Sequence, residues 1–132
     1  MYMLKLPNVT LICITNKDFE GHKKALEESS KGIEWGARKI IWDESITSID
    51  VWNYKIIFEL HHYVQTDFAF LFHADGYPIR PEEWRDEWLK LDYNGSPWPL
   101  PKDSFSYRDE IGRVQRVGNS VSLRSKKLME LV

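Results

Sequence analysis

Two uninterrupted apolar runs dominate the pattern of this chain. Residues 9–15 read VTLICIT and residues 68–72 read FAFLF. Short apolar runs bounded by turn residues predict strands buried on both faces. The β-branched content of the first run points the same way. After it, Asn16 and Asp18 are candidate helix N-caps. Phe19, Leu26 and Ile33 recur at helical spacing, with Gly32 as the predicted stop. A short strand is predicted over 38–42, ending at Asp43. Residues 50–64 predict a helix, with Trp52, Ile56, Leu60 and Tyr63 in one apolar stripe and Lys55, Glu59 and His62 off it. The order strand, helix, strand, helix, strand is the signature of a parallel sheet with crossover helices. The predicted class is α/β, a parallel-rich mixed sheet with flanking helices, in a single domain over 1–132.

The second half changes character. Pro81 suits the first residue of a short helix, with Glu82 and Glu83 favourable at its positive end. Trp84 and Trp88 are one helical turn apart and are predicted to pack inward. Residues 92–101, DYNGSPWPLP, carry the Gly and Pro of turn and loop. Residues 104–116 are polar and predict a flexible hairpin or flap. Residues 117–123 alternate enough for a strand, and Ser125 is a candidate cap for a final helix. Leu128, Leu131 and Val132 make the end of the chain apolar, which predicts self-association there into a homo-oligomer.

Composition narrows the function classes. Hydrophobic residues are 42% and charged residues 29% of 132, an ordinary globular balance with room for one core. A net charge of −2 without a basic block argues against a nucleic-acid partner and against a polybasic membrane anchor. No stretch approaches the roughly 18 apolar residues of a membrane span. The start MYMLKLPNV lacks a secretory pattern, because Pro7 and Asn8 break the run. The single cysteine, Cys13, lies in an apolar run and predicts a buried thiol in a reducing, cytoplasmic setting. Aromatic residues reach 14%, which suits either a well-filled core or a stacking site for a sugar or base.

The candidate chemistry gathers at strand ends. In open α/β sheets ligands bind beyond the carboxyl ends of the strands. His73 and Asp75 follow the second apolar run, and at i and i+2 of an extended segment they point the same way. An acid there faces a metal, a phosphate or a ribose; an Asp-Gly strand-ending turn is the plain alternative. His61 and His62, about 100° apart on a helix, read as one surface and one half-buried residue rather than metal ligands. No zinc spacing, glycine-rich phosphate loop or nucleophile elbow is present. Gly118 and Asn119 tolerate unusual backbone angles. Arg124 offers a fork for phosphate or carboxylate, or a structural ion pair.

The ordered set LPNVTLICIT, an apolar strand into ADGY followed by PEEW, then LDYNGSPWP, then VGNSVSLRS resembles a bacterial and viral family of glycosyltransferase-like proteins. The resemblance spans nearly the whole chain. It implies a glycosyltransferase A fold, a nucleotide-sugar donor and a saccharide or other acceptor. It places Thr15, Asn16, Asp75 and Gly76 at the donor, and Asp75 with His73 at a divalent manganese or magnesium ion. Gly95, Pro97 and Trp98, with Gly118, Asn119, Ser122 and Arg124, fall on loops beside donor or acceptor.

Several departures qualify that picture. The usual Asp-x-Asp pair is here His73-x-Asp75, and the glycine-rich bend is shortened to Gly-Asn-Ser-Val-Ser. The family continues past the point matching Val132 into a segment with an acidic catalytic residue, so the domain is expected to be incomplete or reduced. A non-catalytic binding remnant and a structural or assembly protein are the alternative readings.

Overall fold

The computed structural model of the chain describes residues 3–74, 76–78, 81–97 and 117–131, with the backbone alone at 95–97 and 117–120. Strand β1 (Leu4–Thr15) runs through the middle of the parallel region and sets the architecture. Its side chains alternate between faces, as a pleated strand requires. Val9, Leu11 and Cys13 enter one core layer, whereas Ile12 and Ile14 enter the other. Strand β2 (Ile33–Trp42) and strand β3 (Phe68–Leu71) flank β1, both parallel to it. Strand β4 (Tyr93–Pro97) and strand β5 (Val117–Ser125) complete a five-stranded sheet of order β2-β1-β3-β5-β4. The pairs β3–β5 and β4–β5 are antiparallel, so the sheet is mixed.

Helices lie on both faces. Helix α1 (Phe19–Ser29) joins β1 to β2 and puts Ala25 against Leu11 and Cys13. Helix α2 (Ile49–Phe58) joins β2 to β3 and puts Ile56 against Ile12 and Ile14. The chain therefore leaves β1 along one face and returns to β3 along the other. This divergence opens a crevice at the carboxyl ends of β1 and β3, the place where open α/β sheets take ligands. On the α2 face, Ile56, Leu60 and Val64 are fully buried against Ala69 and Leu71. Met129 of α3 (Lys126–Glu130) closes the same layer.

Local chemistry explains the boundaries, including those that differ from expectation. Asp18, not Asn16, caps α1, accepting from the Gly21 N–H at 3.1 Å. The helix stops at Ser29 rather than Gly32. The hydroxyls of Ser29 and Ser30 donate back to the Ala25 and Leu26 carbonyls at 2.6 and 2.8 Å, which competes with continuation of the helix. Its buried face is His22, Ala25 and Ser29; Phe19 is exposed and Ile33 opens β2. Strand β2 thus starts five residues before the expected 38. Its first half pairs with Leu4 to Leu6, and its register shifts where the carbonyl of Pro7 crowds Gly36, leaving no room there for a side chain.

The helix expected over 50–64 divides. After α2, Leu60–Tyr63 tighten into a 3-10 turn, and the stripe of Trp52, Ile56, Leu60 and Tyr63 stays on the core side. Pro81 does open a short turn, Pro81–Glu83. The extended backbone of Arg85 separates it from the next, Asp86–Lys90, so Trp84 and Trp88 meet edge to face at 5.1 Å without sharing a helix. The loop expected from Asp92 is in part the strand β4. It is an edge strand, where proline costs no ladder bond to an outer neighbour. Ser125 caps α3 as expected, accepting from the Leu128 N–H at 3.0 Å. The predicted flap over 104–116 lies outside the described residues.

Candidate functional site

A cleft of about 400 Å³ opens at the carboxyl ends of β1 and β3. That volume lies in the range of small-molecule sites. Its lining comes from three places. Thr15, Asn16 and Lys17 follow β1; residues 46–49 and Trp52 form the entry and first turns of α2; His73 follows β3. These segments are adjacent because β1 and β3 pair from Val9↔Phe68 to Ile12↔Leu71, which brings both strand ends to one edge.

Hydrogen bonds fix each wall. The Asn16 amide donates to the Ile46 carbonyl at 2.5 Å, tying the end of β1 to the entry of α2. The Lys17 N–H donates to the Thr15 hydroxyl at 3.2 Å and bends the chain away from the strand. Ser48 caps α2 by accepting from the Val51 N–H at 3.3 Å. The Trp52 indole N–H donates to the Ile14 carbonyl at 2.9 Å. The ring of Trp52 meets that of His73, centroids 5.5 Å apart. His73 is held by a tight turn in which it and Gly76 exchange backbone bonds of 2.9 and 3.2 Å. A Cβ on Gly76 would stand 2.7 Å from the Val121 side chain, so a larger residue there would have to displace it.

Just outside the lining, Asp43 anchors the β2 end of the cleft. Ser45 donates to it through both its hydroxyl and its backbone N–H, at 2.6 and 2.9 Å, and Lys55 of α2 lies 2.9 Å away. The Ser45 hydroxyl first, then Lys55, hold the carboxyl down from 3.8 to about 2. The Asp43 bond in turn raises the Lys55 ammonium.

Of the residues picked out in sequence, Thr15, Asn16 and His73 meet in the cleft, and Gly76 closes the turn that carries His73. Ser122 and Arg124 form a separate group one strand away. They pair with Leu71 and Ala69, so they share the α2 face of the sheet. Arg124 donates from Nε to the Ser122 hydroxyl at 3.0 Å and stands 5.3 Å over the Tyr93 ring. Burial pushes its guanidinium below the ordinary value, and Tyr93 opposes that shift. Gly95 lies across from Ser122 and Pro97 across from Val117, while Gly118 and Asn119 are within β5. Asp75 and Trp98 lie outside the described residues, and so does the convergence of Asp75 with His73.

Sequence reasoning missed Lys17, Thr47, Ser48 and Trp52. Trp52 was assigned to the core stripe, and half of that stands, since it packs against the second core layer. The available signal was Ser48 as an N-cap. A helix that starts after a strand's carboxyl end starts at the ligand edge.

A divalent cation asks for several hard oxygen ligands. Among the described residues, no group of three or more His, Cys, Asp or Glu side chains is placed to hold one. The described lining offers His73 and neutral oxygens, a set that does not fit manganese or magnesium by itself.

Fold and cleft together define an α/β domain with a ligand-sized opening at the carboxyl edge of its parallel strands. Among known proteins, no protein family, no curated protein and no solved structure matches the chain. Among the described residues, no helix is long and apolar enough to cross a membrane.

Proposed function

We propose that the chain binds a nucleotide sugar in the cleft between β1 and β3 and acts as a glycosyltransferase of the A type. The observation that carries this reading is the meeting of Thr15, Asn16 and His73 at one crevice, because the motif resemblance puts donor and metal contacts at those positions. The remaining lining suits the same ligand. Trp52 supplies an aromatic face for a base or sugar ring. The Lys17 ammonium, the Thr47 and Ser48 hydroxyls and the positive end of α2 suit a diphosphate. In transfer, an acceptor hydroxyl attacks the anomeric carbon and passes its proton to solvent as the bond from that carbon to the diphosphate oxygen breaks and the nucleoside diphosphate leaves. Lys17 and the α2 terminus would then hold the charge of the departing diphosphate. A reducing, cytoplasmic setting accords with the buried Cys13 thiol, which burial pushes up to about 12.

A second reading, binding without transfer, is favoured by the lining itself. Its described side chains include an imidazole and an ammonium but no carboxylate to act as base. Calorimetry with a panel of nucleoside diphosphate sugars, paired with an assay for nucleoside diphosphate released on addition of saccharide acceptors, separates the two. Binding that weakens about tenfold in Asn16→Ala or Lys17→Ala supports the site, at about 1.4 kcal/mol per decade. Release of diphosphate then selects transfer. Repeating the titration with manganese and with a chelator tests the expected cation at Asp75 and His73. No binding by any donor sinks both readings.

A further inference from the structure

A second cavity, of about 330 Å³, lies on the α1 face, near the amino ends of β1 and β2 where Leu4 and Ile33 enter it. Its walls are aromatic: Trp35 and Phe70 from the sheet, Trp84 just after the first 3-10 turn and Trp88 within the second, with Glu83 at the side. The rings are locked in two edge-to-face pairs, Trp35 with Phe70 at 5.6 Å and Trp84 with Trp88 at 5.1 Å. The polar edges of two indoles are used elsewhere. Trp35 Nε1 donates to the Ser29 carbonyl at 3.2 Å and Trp84 Nε1 donates to the Asp86 carboxylate at 3.0 Å, and neither acceptor lines the cavity. A carboxylate on the indole N–H also makes the Trp84 ring richer in electrons.

This lining discriminates among ligands. A sugar or a nucleotide would bury hydroxyls against carbon, and each unmatched polar group is costly. A trimethylammonium group asks for no hydrogen bond, presents methyl groups to its surroundings and is drawn to aromatic faces. The surrounding charge suits it. Glu83 brings a carboxylate to the lining, and Arg85, the guanidinium of the same segment, is paired with Glu87 at 3.2 Å.

We propose that this cavity binds a trimethylammonium cation, with the aromatic walls around its methyl groups and the Glu83 carboxylate at the side of the lining facing its charge. The site is independent of the nucleotide-sugar cleft and stands or falls without it.

The test uses the full chain and follows its indole N–H resonances in ¹H–¹⁵N spectra. Choline is titrated beside 3,3-dimethylbutanol, its uncharged carbon isostere. The expected result is saturable shifts at Trp84, Trp88 and Trp35, with choline binding at least about tenfold tighter than the isostere. Trp88→Leu should abolish the shifts while the Trp52 resonance stays in place. Should that variant fail to fold, Glu83→Gln should weaken choline severalfold and leave the isostere unchanged. Phosphocholine as a third arm distinguishes sources, since weaker binding points to a free cation and equal binding to a lipid headgroup. Equal affinity for choline and its isostere, or shifts confined to Trp52, would overturn the proposal.

Discussion

The ring of Trp52 lies against that of His73, centroids 5.5 Å apart, and so joins the first turns of α2 to the end of β3. The same indole donates to the Ile14 carbonyl on β1. One side chain thus ties together the three segments that wall the cleft. Trp52→Phe keeps an aromatic face but leaves that carbonyl unpaired. It should lower stability by about 1–3 kcal/mol in urea denaturation. An unchanged midpoint would mean that the bond contributes little.

The turn that presents His73 depends on Gly76. Gly76→Ala places a methyl 2.7 Å from the Val121 side chain. The expected cost is about 1–3 kcal/mol. Combining it with Val121→Ala should recover part of that loss, and the double-mutant cycle reads the coupling directly. Strict additivity would place the strain elsewhere.

The two faces of α2 should respond very differently to truncation. Ile56 is 0% exposed and Ile57 39% exposed. Ile56→Ala should cost about 2–5 kcal/mol, whereas Ile57→Ala should stay near about 0.5 kcal/mol. Similar losses at both positions would indicate that the outer face, where Tyr54 and Phe58 stack at 4.8 Å, is covered in solution.

Acid should loosen the β2 end of the cleft. The Asp43 carboxyl is depressed from 3.8 to about 2, so its contribution is complete above 3.8 and is lost as pH falls toward 2. Lys55 is raised, so its share is present below its ordinary value and is lost only as pH rises through the raised one. Asp43→Asn should flatten the dependence of the unfolding midpoint on pH between about 4 and 2. A variant with the same acid slope as the parent would show that other carboxyls set it.

The parallel core was legible from residue pattern alone. The runs at Val9 and Phe68 are neighbouring parallel strands, and the stripe on α2 faces the sheet. The first half of β2 was not legible, because Gly36 and Ala37 are weak strand formers and Ile33 continued a helical spacing. Its pairing with β1 is a tertiary effect that overrides local preference. Strand β4 was hidden by Gly95 and Pro97, which read as turn residues until an edge position accommodates them. At the cleft, His73 could be found because it follows a strand, whereas Thr15 and Asn16 were placed there by the motif resemblance. Lys17 carried no such signal and Ser48 carried one only as an N-cap, since which helix start meets which strand end is set by the crossover.

The proposed occupant of the opening between β1 and β3 is a nucleotide sugar. A ¹H–¹⁵N titration with nucleoside diphosphates and their sugars, observed at the Trp52 indole N–H and the backbone amides of Asn16, Lys17 and Ile49, tests it most directly. Saturable shifts are expected at these four positions, greatly reduced in Lys17→Ala. Saturable binding that moves only resonances far from them, or no shifts with any donor, would contradict it.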